Sequence, residues 1–61
     1  MSGKELVKRL KKAGWTEERI SGSHHIMAKP GYRPVPIPVH GTKDLPKGLL
    51  SAILRQTDLE L

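Results

Sequence analysis

Leu6, Val7, Leu10 and Ala13 recur at helical spacing while Lys4, Lys8, Lys11 and Lys12 fall largely on the other faces, so the chain opens with an amphipathic helix. Ser2-Gly3-Lys4-Glu5 has the capping-box spacing that starts it, a hydroxyl followed three residues on by a carboxylate. Gly14, just past the lysine-rich last turn, is placed to end it. The polar run from Trp15 to Ile20 predicts a short, irregular first strand, anchored against the helix by Trp15. Ser21-Gly22-Ser23 is a turn, His24 to Lys29 a second strand, and Pro30-Gly31 a further turn before Tyr32, which together make a hairpin.

From Pro34 to Val39 proline occupies every second position, removing N–H groups from one edge of a strand and leaving the other edge free to pair. A third strand at the sheet edge follows, with Val35, Ile37 and Val39 pointing to one face. His40 to Lys43 is a loop. Asp44 and Pro46 are then expected to cap and open a second helix whose inward face is Leu45, Leu49, Ala52, Ile53 and Gln56. Gly48 inside that helix suggests a close approach by the sheet or a partner, and Thr57 to Leu61 is expected to fray. The order predicts an α+β two-layer sandwich, α-β-β-β-α, double-stranded-RNA-binding-domain-like, with a three-stranded antiparallel sheet and both helices on one face.

A chain of 61 residues has room for one domain, residues 1–61, whose thin core rarely supplies more than roughly 3–5 kcal/mol of net stability. It has no cysteine, so neither disulfides nor thiolate metal sites can staple it. No apolar run approaches the ~18 residues of a membrane span, which points to a soluble cytoplasmic protein without a membrane partner. The formal charge of +5 is uneven: residues 1–33 hold eight Lys/Arg against three Glu, and residues 34–61 hold three against three acidic groups. A polyanionic partner, either nucleic acid or an acidic protein, suits the basic half.

Candidate chemistry centres on His24 and His25, two imidazoles directly behind the Gly22-Ser23 turn, because histidine exchanges protons near neutral pH. Were the polyanionic partner RNA, which carries its own nucleophile in the 2′-hydroxyl, one or two imidazoles would suffice to cleave it without a metal or other cofactor. Lys29, Arg33 or the first helix's Lys4, Lys8, Lys11 and Lys12 are the cations that would hold the phosphates. Strand parity groups His24 with Ile26 and Ala28, and His25 with Met27 and Lys29. The first set is the more core-like, which would put His24 at the rim of the helix-covered side and His25 in the open, and either imidazole remains a candidate. His40 is placed to approach from the end of the third strand, although a loop histidine without a role is its plainer reading. Adjacent histidines point to opposite faces, which argues against one shared metal ion. A non-catalytic RNA-binding module would need the same basic residues but no imidazole.

Four pieces in order carry a family resemblance: Gly14-Trp15, Gly22-Ser23-His24-His25-Ile26, Ile37-Pro38-Val39-His40, and Asp44-Leu45-Pro46-Lys47-Gly48 followed by Ile53-Leu54-Arg55-Gln56. With them the chain resembles a HicA-type toxin. The resemblance implies ribosome-independent cleavage of mRNA, growth arrest, and neutralisation by a HicB-like antitoxin. It also implies that His24, positioned by Gly22 and Ser23, is the catalytic histidine. Leu49 departs from the threonine the family often carries after the second helix's glycine, and the third strand is richer in proline than usual.

Overall fold

A computed structural model describes residues 1–61 as α1 (Gly3–Lys12), β1 (Thr16–Ser21), β2 (His24–Ala28), β3 (Val35–Pro38) and α2 (Lys47–Thr57). The order is the one the sequence predicts. Ser2 caps α1: its Oγ accepts the Glu5 N–H at 3.2 Å, and its hydroxyl turns to the Glu5 carboxylate. At the other end Trp15 N–H donates to the Leu10 carbonyl and Gly14 N–H to that of Lys11, with Gly14 at φ +96°. These two bonds make a Schellman cap, and its usual apolar partners, Trp15 and Leu10, are both buried. The cap therefore ties the end of α1 to the first core residue of the sheet layer. Ala13, expected on the buried stripe, is instead the exposed C-cap residue.

The three strands form one antiparallel sheet in the order β1-β2-β3, leaving β3 at an edge as its prolines require. Ser21 pairs with His24 across a two-residue turn in which Gly22 has φ +60° and Ser23 does not share the positive φ. That combination marks a type II′ turn, which needs glycine at its first central position. Both helices cover one face. Leu6, Val7 and Leu10 of α1 and Ile53 of α2 pack on Met27, Val35 and Ile37, with Trp15 closing the end.

The N-terminus of α1 lies so close to β3 that a Cβ on Gly3 would stand 1.9 Å from the Pro38 carbonyl oxygen. Gly3 is thus the glycine of close approach. Gly48, expected to play that part, has nothing within 4 Å of its would-be Cβ. Asp44 does not cap α2 either. It lies 3.3 Å from the Met1 amino group and bridges Ser2, so Pro46 takes the N-cap position without a side-chain bond.

The inward face of α2 is turned from the expected one: Leu50, Ile53, Leu54 and Thr57 face the protein, while Leu49 and Gln56 are exposed. Thr57 can occupy a core place because its hydroxyl donates to the Ile53 carbonyl at 2.8 Å. Beyond it Leu59 packs on the core, so the expected fraying does not begin at Thr57.

Tyr32 packs against Trp15 with ring centres 5.1 Å apart and planes tilted by 55°, and its hydroxyl donates to Asp58 at 3.0 Å. That bond to Asp58, reinforced by the carboxylate's charge, raises the Tyr32 phenol above its ordinary 10.0. The neutral phenol is the form the fold favours, so its contribution is full below the unfolded value and is lost as pH rises through the raised one. Alkaline titration of thermal stability should show a decline above pH 10 that is shallower in Tyr32→Phe; identical profiles would contradict the link.

The two glycines give a paired test. Gly3→Ala should cost more than about 1 kcal/mol because backbone must move, whereas Gly48→Ala should gain up to about 1 kcal/mol from helix propensity alone. Thermal midpoints would then move in opposite directions, by roughly 4–8 °C per kcal/mol in a domain of this size.

Candidate active site

The two adjacent imidazoles stand on opposite faces of the sheet. Met27 is fully buried, and strand alternation places His25 on that same helix-covered face, opposite Ile37 of β3 and Ile20 of β1. His24 is exposed on the uncovered face with Ile26 and Ala28, opposite Ser21 and Pro38. This reverses the parity expectation. The physical reason is that methionine, long and unbranched, fills the space under the helices, while Ile26 and Ala28 are left half-buried on the open side. The Gly22-Ser23 turn sets this register, and the Val39 N–H donates to the Ser23 carbonyl at 2.8 Å, fastening the turn to the end of β3.

A β-bulge in β1 decides which carboxylate reaches His25. Pairing that continued regularly from Ser21↔His24 would set Glu18 opposite Met27 and send Glu17 to the open face. Instead the register shifts between Glu17 and Arg19, so Glu17 stands opposite Met27, diagonal to His25 on the same face. His25 Nδ1–H donates to Glu17 Oε1 at 2.5 Å, with both side chains about a quarter exposed. Sequence reasoning passed over Glu17, because nothing in the polar run Thr16-Glu17-Glu18-Arg19 marks where the extra residue falls.

His25 and Glu17 form the floor of a cleft of about 300 Å³ beneath the flank of α1. Lys4, Lys8 and Lys11, spaced one helical turn apart, line its upper wall, and Val7 and Val39 complete it. Three of the predicted phosphate-holding cations are thus gathered over one imidazole. Lys12 lies on the next flank of α1 with Glu5, Lys8 and Arg9, outside this cleft. Arg9 extends the basic surface beyond the cations expected from the sequence.

The remaining candidates sit elsewhere. Lys29 donates to the Ala13 carbonyl at 2.9 Å and lies 5.6 Å from the Tyr32 ring centre, so its charge is spent on the C-terminal end of α1. Arg33 lines a separate groove with Tyr32 and Gln56 at the far end of the β2-β3 pair. His40 borders another hollow beside Lys43 and Asp44 and does not line the His25 cleft. No helix is long and apolar enough to cross a membrane.

Residues 3–59 match the family model described as HicA toxin of bacterial toxin-antitoxin. The chain belongs to the HicA toxin family. Its role is therefore that of the toxin in a toxin-antitoxin pair, and its partner is an antitoxin. A comparison with curated proteins finds no match. The match spans every element of this HicA toxin, including both walls of the cleft.

The contrast between the toxin's imidazoles is directly measurable. Under limiting diethylpyrocarbonate, His24 and His40 should be modified first and His25 last, since it is only about a quarter exposed and already bonded at Nδ1. Peptide mass spectrometry reads the order. Equal rates at all three would contradict the placement of His25 under α1.

Proposed function

We propose that this toxin is a metal-independent endoribonuclease that cleaves mRNA in the cytoplasm, with His25 as the general acid-base group. The observation that carries the reading is that, of the three histidines, His25 alone lines the cleft beneath Lys4, Lys8 and Lys11. A phosphodiester seated against those lysines brings its ribose to the imidazole. Nε2 of the neutral ring takes the proton of the 2′-hydroxyl as that oxygen attacks the adjacent phosphorus. The bond from phosphorus to the 5′-oxygen then breaks, and the departing oxygen takes up a proton from water, leaving a 2′,3′-cyclic phosphate and a 5′-hydroxyl. Proton transfer of this kind contributes typically 10²–10⁴-fold. The lysines offset the charge that gathers on the phosphoryl oxygens.

His24 carries the role in the family resemblance, but its side chain stands on the uncovered face, outside the cleft that Lys4, Lys8 and Lys11 line. The geometry therefore favours its neighbour. Gly22 and Ser23 keep the positioning part, because the two-residue turn they form sets the register of both histidines. A HicB-like antitoxin neutralises the toxin by covering the same cleft, and by binding only the folded state it raises the thermal midpoint.

His25→Gln should lose about 10²-fold or more of the RNA cleavage rate while retaining its fold and its binding to RNA and antitoxin. His24→Gln and His40→Gln should keep most of theirs. A folded His25→Gln protein cleaving at the wild-type rate, with His24→Gln inactive, would return the role to His24. Binding of a non-cleavable RNA should weaken with salt, with a log-log slope of roughly 0.7 per phosphate contacted on a single strand. Lys8→Glu should flatten that slope; a slope near zero in the wild type would remove RNA as the partner.

A further inference from the structure

We propose that the RNA this toxin recognises is base-paired, and that α1 lies along a groove of it with one row of phosphates on each flank of the helix. The inference rests on the reading that RNA is the partner of the α1 lysines, and on neither histidine of β2. Leu6, Val7 and Leu10 are buried, so the solvent face of α1 is Lys4, Glu5, Lys8, Arg9, Lys11 and Lys12. Five of those six are cations. The sixth, Glu5, is turned back to the Ser2 cap.

Nothing within the chain neutralises these cations. Its ion pairs are Met1 with Asp44 and Glu17 with His25, and neither includes a side chain of α1. Lys4, Lys8 and Lys12 follow one another at four-residue steps, an arrangement in which like charges repel and destabilise a helix. A polyanion laid against α1 relieves that repulsion.

The spread of the charges decides between one strand and two. At 3.6 residues per turn, Lys4 and Lys11 lie within about 20° of each other, over the cleft, whereas Arg9 stands roughly 150° further round the helix. Lys8 and Lys12 fill the arc between, and Lys8 borders both the cleft and the hollow that Arg9 and Lys12 line on the far flank. A single backbone threading the cleft meets Lys4, Lys8 and Lys11 but passes on the wrong side of the helix for Arg9. Two rows of phosphates about one helix width apart, roughly 10–12 Å, meet both flanks at once. Base pairing fixes two rows in that way, and the minor groove of A-form RNA is wide and shallow enough to be contacted across both.

The aromatic residues point the same way. Readers of single strands stack unpaired bases on aromatic rings. Here the two aromatic residues, Trp15 and Tyr32, pack against each other and line neither flank of α1. Contacts from lysine and arginine to phosphate carry no base information, so the preference is for duplex shape rather than sequence.

The test uses two 2′-fluoro RNA oligonucleotides of equal length, a hairpin and an unstructured strand, neither of which carries the 2′-hydroxyl nucleophile. Binding is measured at 0.15 M salt, where the Debye length of about 8 Å separates the two flanks. The wild type should bind the hairpin at least about tenfold more tightly, with the steeper salt dependence. Arg9→Glu/Lys12→Glu, at exposed positions outside the cleft, should lose about tenfold or more on the hairpin and lower its log-log salt slope by about one per residue, with single-strand binding little changed. Lys4→Glu/Lys11→Glu should weaken both RNAs. Arg9→Gln/Lys12→Gln should show the same ranking with smaller losses, which keeps the comparison open if charge reversal disturbs the helix.

Equal wild-type affinity for the two RNAs, or equal losses on both in Arg9→Glu/Lys12→Glu, would overturn the duplex preference and leave the cleft as an RNA site. Hairpin binding untouched by that variant, with antitoxin binding lost, would overturn it too and give the far flank to the protein partner. Normal binding of both RNAs by Lys4→Glu/Lys11→Glu would overturn the underlying reading instead.

Discussion

Met27 has no exposed surface between the sheet and the two helices, and that burial dictates the direction of every other side chain in β2. Strand alternation leaves no freedom: once Met27 faces inward, His25 faces inward two residues earlier and His24 faces out. The same layer holds Val35 and Ile37 against Leu6, Leu10 and Ile53. Truncating any one of these core residues to alanine would cost roughly 2–5 kcal/mol, comparable to the whole net stability of a domain this small. The position of the imidazole and the integrity of the fold therefore depend on one set of contacts.

Most of the fold was legible because local chemistry and burial agree. The Ser2 cap, the Gly14-Trp15 ending of α1, the glycine turn before β2 and the proline-marked edge of β3 all follow from the residues at those positions. Where they disagreed, tertiary contacts decided. Thr57 lies inward because it bonds its own helix, and a polar residue is not counted when an apolar stripe is drawn. Asp44 resembles an N-cap but is engaged by the Met1 amino group. Gly48 resembles a point of close approach, yet within this chain a Cβ there would meet nothing inside 4 Å, whereas Gly3 in a first turn gives no sign that a carbonyl presses against it.

The candidate site was half legible for the same reasons. Helical spacing alone aligns Lys4, Lys8 and Lys11, and the histidine pair stands out in a short basic chain. The faces of that pair differ from the pattern's expectation because a branched Ile26 looks more like core than Met27, although the uncovered side of a small sheet also carries apolar residues. Glu17 was hidden by the bulge, which pattern does not reveal in a run of polar residues. What results is a cleft with cations on one wall and a paired imidazole on the floor.

The most direct measurement is chemical-shift mapping of the folded protein with an oligonucleotide that carries a 2′-deoxy sugar at the cleavage position and so binds without reacting. The account predicts perturbations concentrated at Lys4, Lys8, Lys11, Glu17 and His25, with the open sheet face of Ile26 and Ala28 unmoved. Perturbations confined to that open face around His24, with the α1 flank silent, would contradict it.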